Sequence, residues 1–457
     1  MGFIDALAEL GKLFPSVEPP KFRPPLKQRL LLTFFIGVLY LVLTHVPLIG
    51  VSKVTLTRFQ LFQAIIASSF GTLVTLGISP IVTASIIMSL LVGSKIVELD
   101  LEKEEDRKKF QNAQRSLAYL LCIVEAALFV LGGAIQPVRS LPLPLVDLAL
   151  IVQAALGAAL LILLDEIVTL YGFGSGISLF IFAGVVQSMF VGLFNPLILP
   201  QTGMPAGYIP RFIYFLEQGE LGFHALAISL LPAIFTIIIL LVSLYLWMIK
   251  IEIPVTHVSL RGYGARFPIM LLYTNVIPVI FAFALLYNIQ LLAMALHVPA
   301  LAQVENGRLV GGLVYYLLPP NGLEGYFYNP QAWSLRVLGF SIYIIITCIL
   351  FSYFWVYAAG MDSEALAEQI SEIGFQLSGF RRDKRVLKNI LDRYIPYVTF
   401  LSAVFTAAII ILAQIVGSAG SGTGLFLAAG IAYNFYELLK QEKGLEMLGF
   451  LRSFLEA

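Results

Sequence analysis

The sequence predicts an all-α membrane protein that crosses the bilayer ten times. Three observations carry this: 59% of the 457 residues are hydrophobic and 12% charged, with a mean hydropathy of +0.88. Uncharged stretches of about 20 residues, the length that spans a hydrocarbon core as a helix, recur along the whole chain. One eleven-residue phrase is written twice, GSGISLFIFAG at 174–184 and GSGTGLFLAAG at 420–430. A composition this apolar lies outside the range of soluble domains, and continuous apolar runs exclude barrel strands, which alternate over about 10 residues.

Residues 1–29 hold no apolar signal-peptide core and carry instead the stiff, polar VEPPKFRPPLKQR, so this cytosolic N-terminal segment is expected to persist. Phe3, Leu7, Leu10 and Phe14 share one helical face. That spacing fits a helix on the membrane surface and one packed on the protein equally well. Spans are expected at about 30–49, 71–94, 116–135, 146–168 and 176–194 in a first half (30–200). In a second half (201–440) they are expected at about 225–249, 269–292, 335–359, 395–416 and 421–439, before a tail at 441–457. Cys122 and Cys348 fall inside spans and read as small buried hydrophobes.

Lysine and arginine orient the chain. With both termini in the cytosol, 23 of the 29 basic residues lie on the inner side, and only Lys53, Arg58, Arg139, Arg211, Arg308 and Arg336 lie outside. The repeated phrase then opens the fifth span from the inside and the tenth from the outside. Seven of its eleven positions are identical across 246 residues. An inverted repeat of five plus five helices produces this pattern, with a central site where the halves meet.

Ionisable residues that would bind ions or relay protons are scarce in the spans. Glu125, in CIVEAALF, is the exception. His45, His224, His257 and His297 have no partner at metal-ligand spacing, and Phe173 stands where an intramembrane serine protease motif needs glycine. No GxxxxGK[ST] phosphate loop occurs, so neither an enzyme nor a cofactor is expected. Two inner loops are more informative. Residues 250–268 alternate as a strand and turn through Arg261, Gly262, Gly264 and Arg266, predicting a basic hairpin. Residues 362–379 predict an amphipathic helix with Leu366, Ile370, Ile373 and Leu377 on one face, followed by GFRRDKRVLKNILDR. That basic projection either binds phosphates or only enforces topology.

Four stretches, GTLVTLGISPIVTASIIMSLLVGS, LDEIVTLYGFGSGISLFIFAGV, NVIPVIFAFALL and GSAGSGTGLFLAAGIAYNFYE, resemble the SecY/Sec61 alpha family of protein-conducting channels, most closely its archaeal members. The resemblance runs through all ten spans and both inner loops. It implies two five-helix halves closing like a clamshell around an hourglass pore. The pore's waist would be an aliphatic ring of Ile78, Val82, Ile177, Ile181, Ile280 and Leu427. An apolar waist dewets when empty and offers a passing chain no hydrogen bonds. The resemblance further implies a plug at about 54–70 and a lateral gate between helices with a polar cluster of Thr83, Glu125 and Asn288. It implies ribosome binding through Arg381, with Arg382, Arg261 and Arg266 as accessories. The expected partners are a SecE-type (gamma) subunit, a small beta-type subunit, the ribosome and its rRNA, signal sequences and nascent polypeptides, and membrane lipids. The expected location is the plasma membrane. A secondary transporter and a non-transporting insertase share parts of this architecture; ion-binding carboxylates would mark the first, an unsealed pore the second.

Overall fold

A computed structural model describes residues 3–22, 24–51, 69, 71–93, 97, 99, 103–131, 135, 137–138, 143–198, 203–219, 222–257, 264–274, 276–296, 300–301, 303–305, 308–320, 322–372, 375–377 and 384–455. The chain divides into two compact units, Met1–Gln187 with Asn434–Ala457, and Ser188–Tyr433. The expected plug segment, apart from Ser69, lies outside the described residues.

The first unit opens with α1 (Phe3–Gly11), which buries Ile4, Leu7 and Ala8 in a cluster with Met88 and Ala113. Of the two readings of this helix, the structure takes packing on the protein. The buried face is rotated from the expected one: Leu10 is 43% exposed, and Phe14 lies beyond the helix, stacked on Tyr119 at 4.7 Å between centroids. Long helices follow: α2 (Leu26–Leu43), α3 (Ser79–Gly93), α4 (Glu104–Leu131), α5 (Leu143–Tyr171) and α6 (Gly176–Phe194). A core shared by α3, α4 and α5 includes Ala84, Cys122, Ala126, Leu150 and Ala154, with Leu76 from the segment before α3. Helix α3 starts at Ser79 rather than at 71, where the apolar run begins. Residues 71–78 are turns, with φ of +80° at Gly71 and +56° at Gly77. The Thr72 and Thr75 hydroxyls donate to the carbonyls of Ser69 and Thr72, local bonds that compete with a helical ladder. On α5, Gly157 leaves the room that the Leu73 carbonyl occupies.

The second unit carries α7 (Tyr208–Gln218) and α8 (Phe223–Met248), the latter with a π-turn at Leu226–Leu230. Pro232 lacks the N–H that would meet the Ile228 carbonyl, and the buried Arg211 guanidinium donates to that carbonyl instead, at 3.4 Å. Strands β1 (Lys250–His257) and β2 (Gly264–Met270) form the predicted antiparallel hairpin. Because β2 runs to Met270, helix α9 (Ile277–Leu296) begins later than position 269, with Pro278 in its first turn, where a missing N–H costs little. A short hairpin, β3 (Gln303–Glu305) and β4 (Arg308–Gly311), leads to α10 (Leu313–Leu317), α11 (Glu324–Tyr328) and α12 (Pro330–Ala358).

The amphipathic helix expected over 362–379 is shorter. Helix α13 (Ser363–Glu372) ends early, and Phe375–Leu377 forms β5, pairing antiparallel with β1 from Val255↔Leu377 to His257↔Phe375. Leu377 therefore belongs to a strand, and Ile373 lies outside the described residues. The hairpin's open β1 edge offers unpaired backbone groups, and Gly374 and Gly379 in the sequence weaken helix there. The sheet order is β2-β1-β5, which joins the two loops read separately from the sequence. Helix α14 (Lys384–Val416) closes over this sheet with Leu387, Leu391 and Ile395 against Ile253, Ile269 and Ile370. Helix α15 (Gly422–Leu455) ends the chain.

Ten helices, α2 to α6, α8, α9, α12, α14 and α15, match the ten expected spans. Among the described residues, seven of them are long and apolar enough to cross a membrane by length and composition alone.

Candidate functional site

The twice-written phrase opens on the same left-handed glycine in both places, although Ser421, with φ +60°, departs from its counterpart Ser175. Gly174 has φ +81° and Gly420 φ +78°, left-handed values that let the chain turn sharply into a helix. Two residues on, Gly176 lies against Asp165 of α5 and Gly422 against Ala413 of α14; a Cβ at either position would overlap its neighbour. At the phrase's last glycine, Gly184 meets Tyr40 of α2 and Gly430 meets Trp247 of α8. These neighbours come from the first and fourth helices of one half and the matching two of the other. Equivalent contacts on equivalent helices are what a duplicated five-helix half leaves behind.

The turn before α6 is braced throughout. Arg29 of α2 donates from Nε to the Gly172 carbonyl at 2.8 Å, its guanidinium carbon lies 5.7 Å from the Phe173 ring centroid, and its Nη1 pairs with Glu442 Oε1 at 3.0 Å. The Phe173 N–H donates to the Thr33 hydroxyl at 2.7 Å, and the Ile177 N–H to Asp165 Oδ1 at 2.8 Å. In the second unit, the Ala419 N–H donates to Thr236 Oγ1 at 2.9 Å. The turn before α9 is held by Thr274, whose hydroxyl lies 2.9 Å from Ser402 Oγ and 3.3 Å from Ser352 Oγ, all three buried.

The ring candidates occupy the starts of four helices, each behind such a turn. Ile78 is buried just before α3, its carbonyl accepting from the Val82 N–H at 3.1 Å, with Val82 in the first turn of that helix. Ile177 and Ile181 stand one turn apart at the start of α6. Ile280 is in the first turn of α9, and Leu427, buried, in the second turn of α15. Ile78, Val82, Ile177 and Ile181 belong to the first unit, Ile280 and Leu427 to the second.

The structure brings two of the three polar residues together. Thr83 of α3 lies beside the Glu125 carboxylate of α4, and Ser79, one turn before Thr83 on the same helix face, lies beside the same carboxylate. The second oxygen, Glu125 Oε2, is buried without a hydrogen-bond partner among the described residues. Asn288 is on α9, in the second unit, and its side chain lies outside the described residues. Ser79 was legible as a residue four positions before Thr83, but nothing in the sequence pairs α3 with α4 at that height.

Of the basic candidates, Arg261, Arg381 and Arg382 lie outside the described residues. Arg266 is exposed on β2 and pairs with Glu252 of β1 at 2.7 Å, a hydrogen bond that holds its guanidinium pKa above the ordinary value.

Comparison with known proteins agrees with this architecture. The sequence profile named SecY matches residues 72–436, and the profile for the plug domain of Sec61p matches residues 38–71. The protein translocase subunit SecY of Pyrococcus horikoshii is 41% identical over 472 aligned positions, covering 99% of each chain. The same subunit of Methanothermobacter thermautotrophicus is 39% identical, covering 98% of this chain and 97% of its own. A solved protein-conducting channel is similar with a TM-score of 0.75 at 39% identity, covering 97% of this chain and 98% of that one. Sec61 in the canine ribosome-channel complex of the endoplasmic reticulum is similar with a TM-score of 0.72 at 38% identity, covering 97% of each chain. With a profile spanning most of its length and relatives alike from end to end, this ten-helix chain belongs to the SecY family.

Proposed function

We propose that this chain is the pore-forming subunit of a Sec-type translocation channel, which passes unfolded polypeptides across a membrane and releases apolar segments sideways into lipid. The observation that carries the reading is the run of aliphatic residues at four helix starts, each behind a braced, non-helical turn, in a member of the SecY family. A conduit for arbitrary polypeptides must grip none of them and leak no ions when idle, and an apolar constriction meets both demands. We assign that constriction to Ile78, Val82, Ile177, Ile181, Ile280 and Leu427, and the polar edge of the lateral opening to Thr83, Glu125 and Asn288.

Residues 54–70 are assigned as the plug; a related structure is described as one in which the plug domain stabilizes the closed state of the channel and maintains a membrane seal. Arg381, with Arg382, Arg261 and Arg266, is assigned to ribosomal RNA, in keeping with a similar chain solved in a ribosome-channel complex. The basic-residue asymmetry supports a multi-pass protein of the cell membrane with both termini in the cytoplasm. SecE-type and beta-type subunits complete the assembly. Energy comes from a partner, since the chain has no phosphate loop.

The test is reconstitution with a stalled nascent chain and photocrosslinkers at the ring positions, at Thr83 and at Asn288. Ring positions should crosslink to the translocating segment, and the other two to a signal sequence. Replacing Ile78, Ile181 and Ile280 together with Ser should wet the constriction and raise idle conductance in a planar bilayer. Conductance equal to the unmodified channel counts against the ring.

A further inference from the structure

Every helix starts with N–H groups that its own ladder leaves without acceptors. At α6 one of these, from Ile177, is taken by a carboxylate of the neighbouring helix. Asp165 on α5 accepts from the Ile177 N–H at 2.8 Å, and the Gly176 N–H and the Thr169 hydroxyl, one turn further along α5, lie beside the same group. The fit depends on glycine: a Cβ at position 176 would stand 2.5 Å from Asp165 Cα and 2.7 Å from Oδ1. The carboxylate therefore reaches the helix start only because no side chain intervenes, and its charge meets the positive end of the α6 dipole.

The second copy of the phrase is capped differently. Gly422 faces Ala413, and α15 caps itself, Ser421 Oγ accepting from the Gly424 N–H at 3.1 Å. A hydroxyl in the cap position travels with its own helix. A carboxylate lent by a neighbouring helix ties the height and rotation of one helix to another, which a self-cap does not do. The N–H group it holds belongs to Ile177 itself, with the Gly176 backbone packed against the same side chain, and Ile181 follows one turn later.

We propose that Asp165 is a positioning residue of the channel seal, setting the axial height and rotation of the first two turns of α6 and with them the side chains of Ile177 and Ile181. The inference rests on the assignment of those two side chains to the constriction. Removing the carboxylate lets the first turn fray or rotate, while the rest of α6 stays anchored, for example by Phe180 stacked on Tyr40 at 5.0 Å.

The experiment measures idle ion conductance of the purified channel complex in planar bilayers for Asp165→Ala, Asp165→Asn and Asp165→Glu, beside Ile181→Ser. Amide hydrogen exchange over residues 174–181 is followed in the same preparations. Asp165→Ala should raise idle conductance roughly tenfold, the size set by one charge-assisted hydrogen bond, and speed exchange in that segment. Asp165→Asn keeps an acceptor oxygen in place and should restore most of the seal. Where Asp165→Ala does not accumulate, Asp165→Glu takes its place: it keeps the charge, overshoots by one methylene, and should leak as well. A tight Asp165→Ala channel beside a leaking Ile181→Ser channel overturns the inference and leaves the ring standing. Leak in neither variant sinks the ring assignment, and this inference with it. Equal leak in Asp165→Ala and Asp165→Asn also overturns it, because a lost acceptor is then not the cause.

Discussion

At the scale of single residues, the chain pairs part of the polar complement of its spans and leaves part of it dry. Thr274, Ser352 and Ser402 satisfy one another, Arg29 is shared between a carbonyl and Glu442, and the Ser79 and Thr83 hydroxyls lie beside Glu125, whereas the buried Ser243, Thr399 and Thr406 hydroxyls have no hydrogen-bond partner among the described residues. A carboxylate near the bilayer centre costs about 2.5–3.5 kcal/mol, and a membrane hydrogen bond returns only about 0.6 on average, with a maximum near 1.7. Two donors therefore offset part of the cost of Glu125 and leave it poised. Thr83→Val should destabilise the chain by about 0.6 kcal/mol in the native background and by close to nothing once Glu125 is Leu, because the bond's acceptor is then gone. Thermal unfolding in detergent of the two single variants and the double reads the coupling. An equal cost of Thr83→Val in both backgrounds would show that the hydroxyl does not act through Glu125.

At the scale of elements, the two copies of the repeated phrase share a left-handed opening glycine but not their tolerances. A Cβ at Gly184 would lie 3.2 Å from the Tyr40 hydroxyl, the far end of a side chain, whereas one at Gly430 would lie 2.6 Å from the Trp247 ring, whose indole is buried. Both side chains are buried, so the distances decide: the first approach asks the Tyr40 hydroxyl for a few tenths of an ångström, and the second asks the indole ring for far more. Gly430→Ala should therefore cost about 1–3 kcal/mol, in the range of overpacked cores, and Gly184→Ala clearly less. Unfolding midpoints of the two variants test the order, and a Gly184→Ala channel as unstable as Gly430→Ala would contradict the packing described. The same logic explains why α3 begins late. The lead-in at 71–78 is tied by its own threonines, its Leu73 carbonyl lies in the space that Gly157 leaves open, and the carbonyls of Gly71, Thr72 and Val74 accept hydrogen bonds without a helix.

At the scale of the whole molecule, β1, β2 and β5 with α13 and the start of α14 form one base, and the basic segment around Arg381 leaves from the end of β5. A sheet with an apolar underside, Ile253 and Ile269, gives such a segment a fixed root, which a loop that only enforces topology does not need. Reversing Arg381 and Arg382 to Glu should weaken ribosome binding and leave membrane insertion intact. Each lost phosphate contact should flatten the salt dependence by about 0.7 to 0.9 in slope, if folded RNA behaves as other polyelectrolytes do. Ribosome affinity that follows salt as steeply as in the unmodified channel returns these charges to a topological role alone.

Much of this was determined by the sequence itself. Apolar runs of spanning length, the distribution of lysine and arginine, and a phrase written twice follow from transfer free energies and local geometry, which each residue carries with it. The hairpin at 250–268 was legible for the same reason, since alternation and glycines are local signals. What tertiary structure alone decided were matters of partner choice. Which face of α1 is buried depends on the groove beside Met88 and Ala113. That Leu377 joins a strand and not the helix before it depends on an open edge more than a hundred residues earlier in the chain. That Asp165 caps α6, a role no motif announces, depends on α5 lying close enough for a glycine to meet it. Hydrophobic periodicity says that a face will be buried; only the shape and hydrogen-bonding needs of the neighbouring element say against what.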